Sequence, residues 1–420
     1  MTAGLRRAPN LTSVVAVAEA HPSPWPRDIR AVIEGCAFDP PPWNVVIGKV
    51  RDRGGPSGRV VVGGRSLVEW GDTDRVDMAF SVTKSYIGLL AAVALDRGLI
   101  AGFDEPVSRR IDDPAFAGPR NATVTWRQLL DQTSEWSGTL FGLPDIVDRD
   151  RQLAPTDDPA RFDRGTPLRA PGTYWDYNDG RVNALCLALT RLFDAPLPEV
   201  LAGIDPAFGP LTGAWDGWGE RSTVALPARP VEIAVGGGHW GGGLSATVGR
   251  HGALGRLVLG RGALDGRRLL STEALDALLT PCPLQPVYGG LWWLNTGRRL
   301  QPAASERAVF AFGVGMTAIW VEPERDLVAV ARWITPTGFA AFVAAVAEAL
   351  ARGRSISSTR CSPDGPMPVR PRITPTRPSG PEIRGSTPSS TTTPRLSPHR
   401  SRRSAPGWRA ASGRRSPDCP

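Results

Sequence analysis

Ser81-Val82-Thr83-Lys84 begins the run SVTKSYIGLLAAVALDR, residues 81–97, which Gly98 closes. Ile87, Leu89, Leu90, Ala91, Val93 and Leu95 leave almost no polar face, so the run predicts a central, buried helix that stops at the glycine. Lys84 stands out inside it. Of the 49 basic residues only two are lysines, Lys49 and Lys84. Arginine keeps its proton in a protein, whereas a partly buried lysine can lose it and become a base. Residues three apart share a helix face, so a helix starting at Ser81 places Lys84 beside the serine hydroxyl. The helix N-terminus adds a positive partial charge and free N–H groups, both favourable to an oxyanion. The pattern predicts a serine nucleophile activated by a lysine. The competing reading is a capping serine with a snorkelling surface lysine, and it fits poorly with so apolar a helix.

Around this helix, Val45 to Val50 and Arg59 to Trp70 read as strands, the second turning back at Gly63-Gly64. From about residue 100 to 280, short helical patterns alternate with Pro- and Gly-rich loops. Thr317 to Val321 and Leu327 to Trp333 predict a second hairpin across Pro323-Glu324-Arg325-Asp326, followed by an alanine-rich helix from Phe339 to Ala351. Strands at both ends with helices between them predict an α/β fold. One antiparallel sheet is flanked by helices, and a mostly helical lobe is inserted in the middle. The division is an N-terminal extension over 1–39, a body over 40–353 whose helical lobe spans roughly 100–280, and a tail over 354–420. The tail is rich in Pro, Ser, Thr and Arg and is expected to be disordered. From Arg352 onward it carries 14 arginines against 3 acids, so the rest of the chain sits near −3 although the whole is +8. A basic tail with no recognition fold beside it argues against a nucleic-acid partner.

Hydrophobic residues make up 41% of the chain, and no apolar run approaches the length of a membrane span. Arg6 and Arg7 precede a weakly apolar stretch, Leu11 to Ala20, broken by Thr12, Ser13 and Glu19. It reads as a poor signal peptide, which favours the cytoplasm over the periplasm or secretion. The five cysteines are scattered, odd in number and without a Cys-x-x-Cys pair, the pattern of free thiols. His21, His239, His251 and His399 show no metal-ligand spacing. No Gly-x-Ser-x-Gly stretch supplies the nucleophile turn of a Ser-His-Asp hydrolase, although His239 remains a candidate substrate contact. Nothing in the sequence specifies an oligomeric state.

A serine–lysine pair needs a third group to carry the proton to the leaving atom, and only four tyrosines exist: Tyr86, Tyr174, Tyr177 and Tyr288. Tyr177 follows Pro171-Gly172-Thr173-Tyr174-Trp175-Asp176 and leads into Asn178-Asp179. Ser-x-x-Lys with a later Pro-Gly-x-x-x-x-Tyr-x-Asn-like segment resembles the β-lactamase-related serine hydrolases. These include class C β-lactamases, penicillin-binding DD-peptidases, esterases and 6-aminohexanoate-dimer (nylon oligomer) hydrolases. The resemblance covers about residues 40–350. Leu129-Leu130 with Thr133-Ser134, the glycine-rich Gly241 to Ser245 and the segment Tyr288 to Asn295 are similar to further family motifs in the same order. The Trp136 region and the other tryptophan-rich segments look closest to the nylon-oligomer branch.

The resemblance implies a β-lactamase-like fold, a Ser81 acyl-enzyme, Lys84 as base partner and Tyr177 as proton shuttle, with Tyr174 as a rival. It implies no metal and no organic cofactor. The substrate is a small-molecule ester or amide. Two positions depart from the pattern. Asp179 stands where the family has Asn. A carboxylate aimed at Lys84 holds the lysine protonated and leaves Tyr177 as the base, its pKa lowered by the ammonium. Asn178 supplies the missing amide only through a shifted loop. In the third motif, Ala311-Phe312-Gly313 replaces Lys or His, Ser or Thr, then Gly. The glycine keeps close backbone approach, and the Val314 N–H joins that of Ser81 in an oxyanion hole. Loss of the cation and hydroxyl argues against efficient turnover of β-lactams or peptidoglycan, and Phe312 suits an apolar acyl group. The alternatives are a catalytically impaired binding protein of the same fold, or a β-lactamase or DD-peptidase.

Overall fold

The computed structural model describes residues 11–35, 41–46, 50–149, 167–209, 223–235 and 243–358. Seven strands form one antiparallel sheet in the order Tyr288–Gly289, Trp292–Leu294, Val309–Gly313, Thr317–Glu322, Leu327–Arg332, Ser57–Val62, Arg65–Trp70. The two ends of the body meet where Leu327–Arg332 pairs with Ser57–Val62, Val62 opposite Leu327 and Ser57 opposite Arg332. This is the sheet expected from strands at both ends with helices between. Gly63 and Gly64 turn the first hairpin at φ 56° and 73°, the left-handed pair that a two-residue turn requires. Of the expected strand from Val45 to Val50, Val45 is a bend and Val46 has no strand partner, while residues 47–49 lie outside the described residues. There the Asn44 amide donates to the Glu34 carbonyl, and Val46 is buried beside Trp25, Ile29 and Trp333, so the segment packs by side chains rather than by a ladder.

The predicted central helix runs Val82–Asp96, and residues 82–94 are all buried. It ends as predicted: Gly98 adopts φ 68° and the Leu99 N–H returns to the Ala94 carbonyl at 3.0 Å. The helix packs on the strands Trp292–Leu294, Val309–Gly313 and Thr317–Glu322, and on the helices Asp179–Phe193 and Thr272–Leu278 of the inserted lobe. A helix with no polar face needs apolar partners on every side, and this position provides them. Helix Val248–Leu259 lies on the neighbouring strands Thr317–Glu322, Leu327–Arg332 and Ser57–Val62. Its His251 is buried and meets the Tyr86 hydroxyl at 3.1 Å; burial pushes His251 down to about 3, with Arg332 adding to the shift. That imidazole is neutral and structural.

The terminal helix Pro336–Ser358 packs its Phe339 and Phe342 on Phe310, Phe312 and Trp70 of the sheet. The stretch read as a poor leader is helical over Thr12–Ala20 and docks on that same helix, with Leu11, Val14 and Ala18 buried. Cys186 and Cys282 are free and buried. Among the described residues, no helix is long and apolar enough to cross a membrane.

Candidate active site

The chain reaches Ser81 through a sharp turn. After the short strand Asp77–Met78, Phe80 takes φ 46°, a conformation that costs a bulky residue roughly 1–3 kcal/mol. Tertiary contacts hold it there. The Phe80 ring meets Trp25 and Trp333 edge-on at 6.1 and 6.4 Å. Asp77 accepts from the Trp333 indole at 2.8 Å and from the Gly54 N–H. The Ala79 N–H donates to the Leu244 carbonyl and the Leu244 N–H to the Thr83 hydroxyl, so Gly243–Ser245 braces the turn. Ser81 occupies the N-cap position, but its side chain makes no capping bond. Instead its Oγ accepts from Lys84 Nζ at 2.9 Å. The capping reading of this serine is therefore excluded.

Lys84 is 1% exposed, which excludes the surface reading as well. Its Nζ lies 2.5 Å from Asp179 Oδ1 and 5.0 Å from the centre of the Tyr177 ring. Burial opposes the ammonium, but the charge of Asp179, with Tyr177 and the hydrogen bonds to both, outweighs it and holds Lys84 above the ordinary lysine value. Tyr177 behaves differently from expectation. Burial pushes its phenol up. Lys84 pulls it down, Asp179 pushes it up again, and hydrogen bonds with Ser81 and Lys84 pull down without reversing the balance. The resting site therefore holds an ammonium–carboxylate pair, a neutral phenol and a neutral serine. The anticipated lowering of the Tyr177 pKa is overturned because the ring is buried against Trp293, stacked at 5.9 Å, and Tyr288, edge-on at 6.1 Å.

Gly313, at the end of strand Val309–Gly313, crosses directly over this turn. A Cβ there would stand 2.2 Å from the Ala79 carbonyl oxygen and 3.4 Å from Phe80 Cβ. The backbone after it turns through Gly315 at φ 75° and Met316 at φ 65°. The N–H groups of Ser81 and Val314 have no hydrogen-bond partner among the described residues. Gly313→Ala is expected to push the strand off the nucleophile turn. The loss is about 1–3 kcal/mol of stability and roughly 10²-fold in the rate of Ser81 acylation, measured by urea unfolding and by the burst of p-nitrophenolate from a p-nitrophenyl ester.

The other anticipated residues are placed as follows. Asn178 caps helix Asp179–Phe193, accepting from the Arg181 N–H and donating to the Asp145 carbonyl, so its amide is engaged away from Lys84. Tyr174 carries the Arg169 guanidinium 3.4 Å over its ring, and Tyr177 takes the place beside Lys84. Trp136 is buried in the helical lobe, its indole on the Ala115 carbonyl and its own carbonyl on Arg181. Phe312 faces the terminal helix, stacked on Phe310 at 5.4 Å and edge-on to Phe339 at 5.6 Å. Successive residues of a strand point to opposite faces, so Gly313 and Phe312 cannot both line the nucleophile. Phe312 meets Trp293 of the aromatic cluster at 6.4 Å. His239, Gly241 and Gly242 lie outside the described residues.

Gln132 was missed. Its carbonyl accepts from the Asp176 N–H and its Oε1 from the Asn178 N–H, so it grips both sides of Tyr177. It lies between Leu130 and Thr133, inside a motif that the sequence did display. Trp175, Tyr288 and Trp293 join Tyr177 in one aromatic cluster. The segment Tyr288 to Asn295 signalled this, but not which rings turn inward. Among the described residues, no group of three or more His, Cys, Asp or Glu side chains is placed to hold a metal ion.

A serine and a lysine at the head of a buried helix, closed over by an antiparallel strand, define a class of protein, and the family comparison agrees with the geometry. The Beta-lactamase family model matches residues 51–351, and the chain belongs to that family. None of the curated proteins matches it. Among solved structures it is similar to a "putative 6-aminohexanoate-dimer hydrolase" from Bacillus anthracis, at 14% identity, 70% of this chain, 79% of that chain and a TM-score of 0.52. It is also similar to a "putative beta-lactamase" from Bacteroides dorei DSM 17855, at 15% identity, 84% of this chain, 99% of that chain and a TM-score of 0.50. At these identities the likeness is one of fold.

Proposed function

We propose that the protein is a serine hydrolase that cleaves a small-molecule ester or amide through a Ser81 acyl-enzyme. The observation that carries this reading is the 2.9 Å contact between Lys84 Nζ and a Ser81 Oγ that makes no capping bond. Ser81 Oγ attacks the substrate carbonyl, and Lys84 and Tyr177 manage its proton. The N–H groups of Ser81 and Val314 hold the oxyanion, which grows from a neutral carbonyl and so gains most from fixed dipoles in a dry site. Tyr177 or Lys84 then protonates the leaving atom, and water releases the acyl group. Ala311 and Phe312 offer neither a cation nor a hydroxyl, so a substrate without a carboxylate to be gripped is favoured over a β-lactam or a peptidoglycan stem peptide.

The test is the intact mass of the protein after incubation with a fluorophosphonate, a p-nitrophenyl ester or a penicillin, in native form and as Ser81→Ala. The expected result is an adduct with the first two on the native chain only, and none with penicillin. A stable penicillin adduct moves the protein to the penicillin-recognising branch. The Lys84–Asp179 ion pair favours one second reading, a binding protein whose lysine is locked in its charged form. Absence of any Ser81-dependent adduct selects that reading.

A further inference from the structure

We propose that Asp179 is the proton store of the acylation step, acting through Lys84 in a relay Ser81–Lys84–Asp179. This rests on the serine hydrolase reading. Lys84 Nζ stands between two oxygens, 2.9 Å from Ser81 Oγ and 2.5 Å from Asp179 Oδ1, and both Lys84 and Asp179 are buried. A lysine that donates to both cannot accept the serine proton until it has given one away. Among the described residues, two groups in reach can take it. Tyr177 is a neutral phenol already pushed upward by burial and by the adjacent carboxylate, so it is poor at holding a negative charge but well suited to passing a proton on. Asp179 is the anion in contact, and its short bond to Nζ is the direct path.

The step balances as follows. As Ser81 Oγ bonds to the carbonyl carbon, its proton moves to Lys84 Nζ, and one of the ammonium protons moves to Asp179 Oδ1. The carbonyl π pair becomes the oxyanion. Lys84 ends as it began, and Asp179 is neutral. When the oxyanion collapses and the leaving atom departs with the bond pair, the proton returns from Asp179 to Lys84 and passes through Tyr177 to that atom. Buried charge stays at one cation and one anion throughout, because the negative charge only changes place from carboxylate to oxyanion. That constancy matters in a site where an extra unpaired charge is heavily penalised.

The groups around the pair are few. Lys84 comes from the central helix. Tyr177 comes from the loop before Asp179, and Tyr288 from the sheet edge; both phenols are raised first by burial. Cys186, two turns along the same helix, is likewise pushed up by burial. Asp148 accepts from the Gly180 N–H, and Asp145 lies against Gly180; Arg149 and Arg181 both lie beside Asp145. Of these, Tyr177 is the group that hydrogen-bonds with both Ser81 and Lys84.

The experiment follows the acylation burst with a p-nitrophenyl ester across pH, in water and in mixtures with heavy water, for the native chain and Asp179→Asn. The native burst is expected to fall on the acid side with unit slope and to show a curved proton inventory, two protons being in flight. In Asp179→Asn the largest influence offsetting burial at Lys84 is gone, and the lysine must first lose its proton to solvent. The acid limb should move to higher pH, where Lys84 loses its proton, the inventory should become linear, and the burst at pH 7 should slow roughly 10²-fold. Asp179→Glu is expected to return the limb toward its native position and to restore the curvature. An unchanged pH profile and inventory in Asp179→Asn, or a burst at pH 7 equal to or faster than native, overturns the relay. A native chain with no Ser81-dependent burst sinks the hydrolase reading itself, which is a separate outcome.

Discussion

Lys84→Ala is expected to abolish turnover and to cost about 3–5 kcal/mol of stability, the cost of stranding a buried carboxylate without its cation. Asp179 is 2% exposed, and the ammonium at 2.5 Å is the cation paired with it. Truncation therefore removes the ammonium that faces a buried carboxylate. The two effects separate in a double-mutant cycle. Lys84→Ala/Asp179→Asn removes both charges and should recover most of the lost stability while recovering none of the burst. Urea unfolding at neutral pH reads the first, and p-nitrophenolate release reads the second. If the double variant is no more stable than Lys84→Ala alone, the pair does not carry the energetic weight assigned to it here.

Arg181→Leu should be comparably severe for the fold, again about 3–5 kcal/mol. Its guanidinium is fully buried and donates to Glu135 Oε1 at 3.1 Å, Asp176 Oδ2 at 3.0 Å and the Trp136 carbonyl at 3.2 Å. The leucine fills much of the volume but leaves two carboxylates facing each other. Asp176 immediately precedes Tyr177, so repulsion there also displaces the phenol. The expected outcome is a lower urea midpoint together with a slower burst. Arg181→Lys keeps a charge but loses the planar fork that spans two partners, and should fall between native and leucine. A loss below about 1 kcal/mol for Arg181→Leu, the range of an exposed ion pair, would refute the account of this cluster.

Much of the architecture was legible because it is written in local pattern. The largely apolar run after Ser81 dictated a buried helix, the paired glycines at 63–64 dictated a hairpin, and the isolated lysine marked the candidate site. Asp179 was legible as a departure from the resembled motif, but that it faces Lys84 is known only from the 2.5 Å contact. What stayed hidden depends on which face a residue turns. Phe312 and Gly313 are neighbours in sequence but lie on opposite faces of the sheet, and no local signal said which one faced the helix. The Tyr177 phenol was expected to be lowered by the ammonium; the burial that reverses this comes from Trp293 and Tyr288, more than a hundred residues away. Asn178 looked like a spare amide for the site, yet a helix start uses that residue type as a cap. Val45 and Val46 have strand composition but, among the described residues, no strand beside them to pair with.

The seam between Leu327–Arg332 and Ser57–Val62 has a consequence for how the protein is made. Pairings between residues so far apart in sequence form late and slow folding. At a synthesis rate of about 5–20 residues per second, the segment carrying the first hairpin, Ser81 and Lys84 leaves the ribosome some tens of seconds before its partner strands. During that interval this largely apolar helix lacks the strands it packs on. The strand end at Gly313 and Val314 arrives later still than the Tyr177 loop. The Ser81–Lys84 pair is thus among the first parts of the candidate site to be synthesised and among the last to be covered, an interval in which its apolar helix is exposed to aggregation.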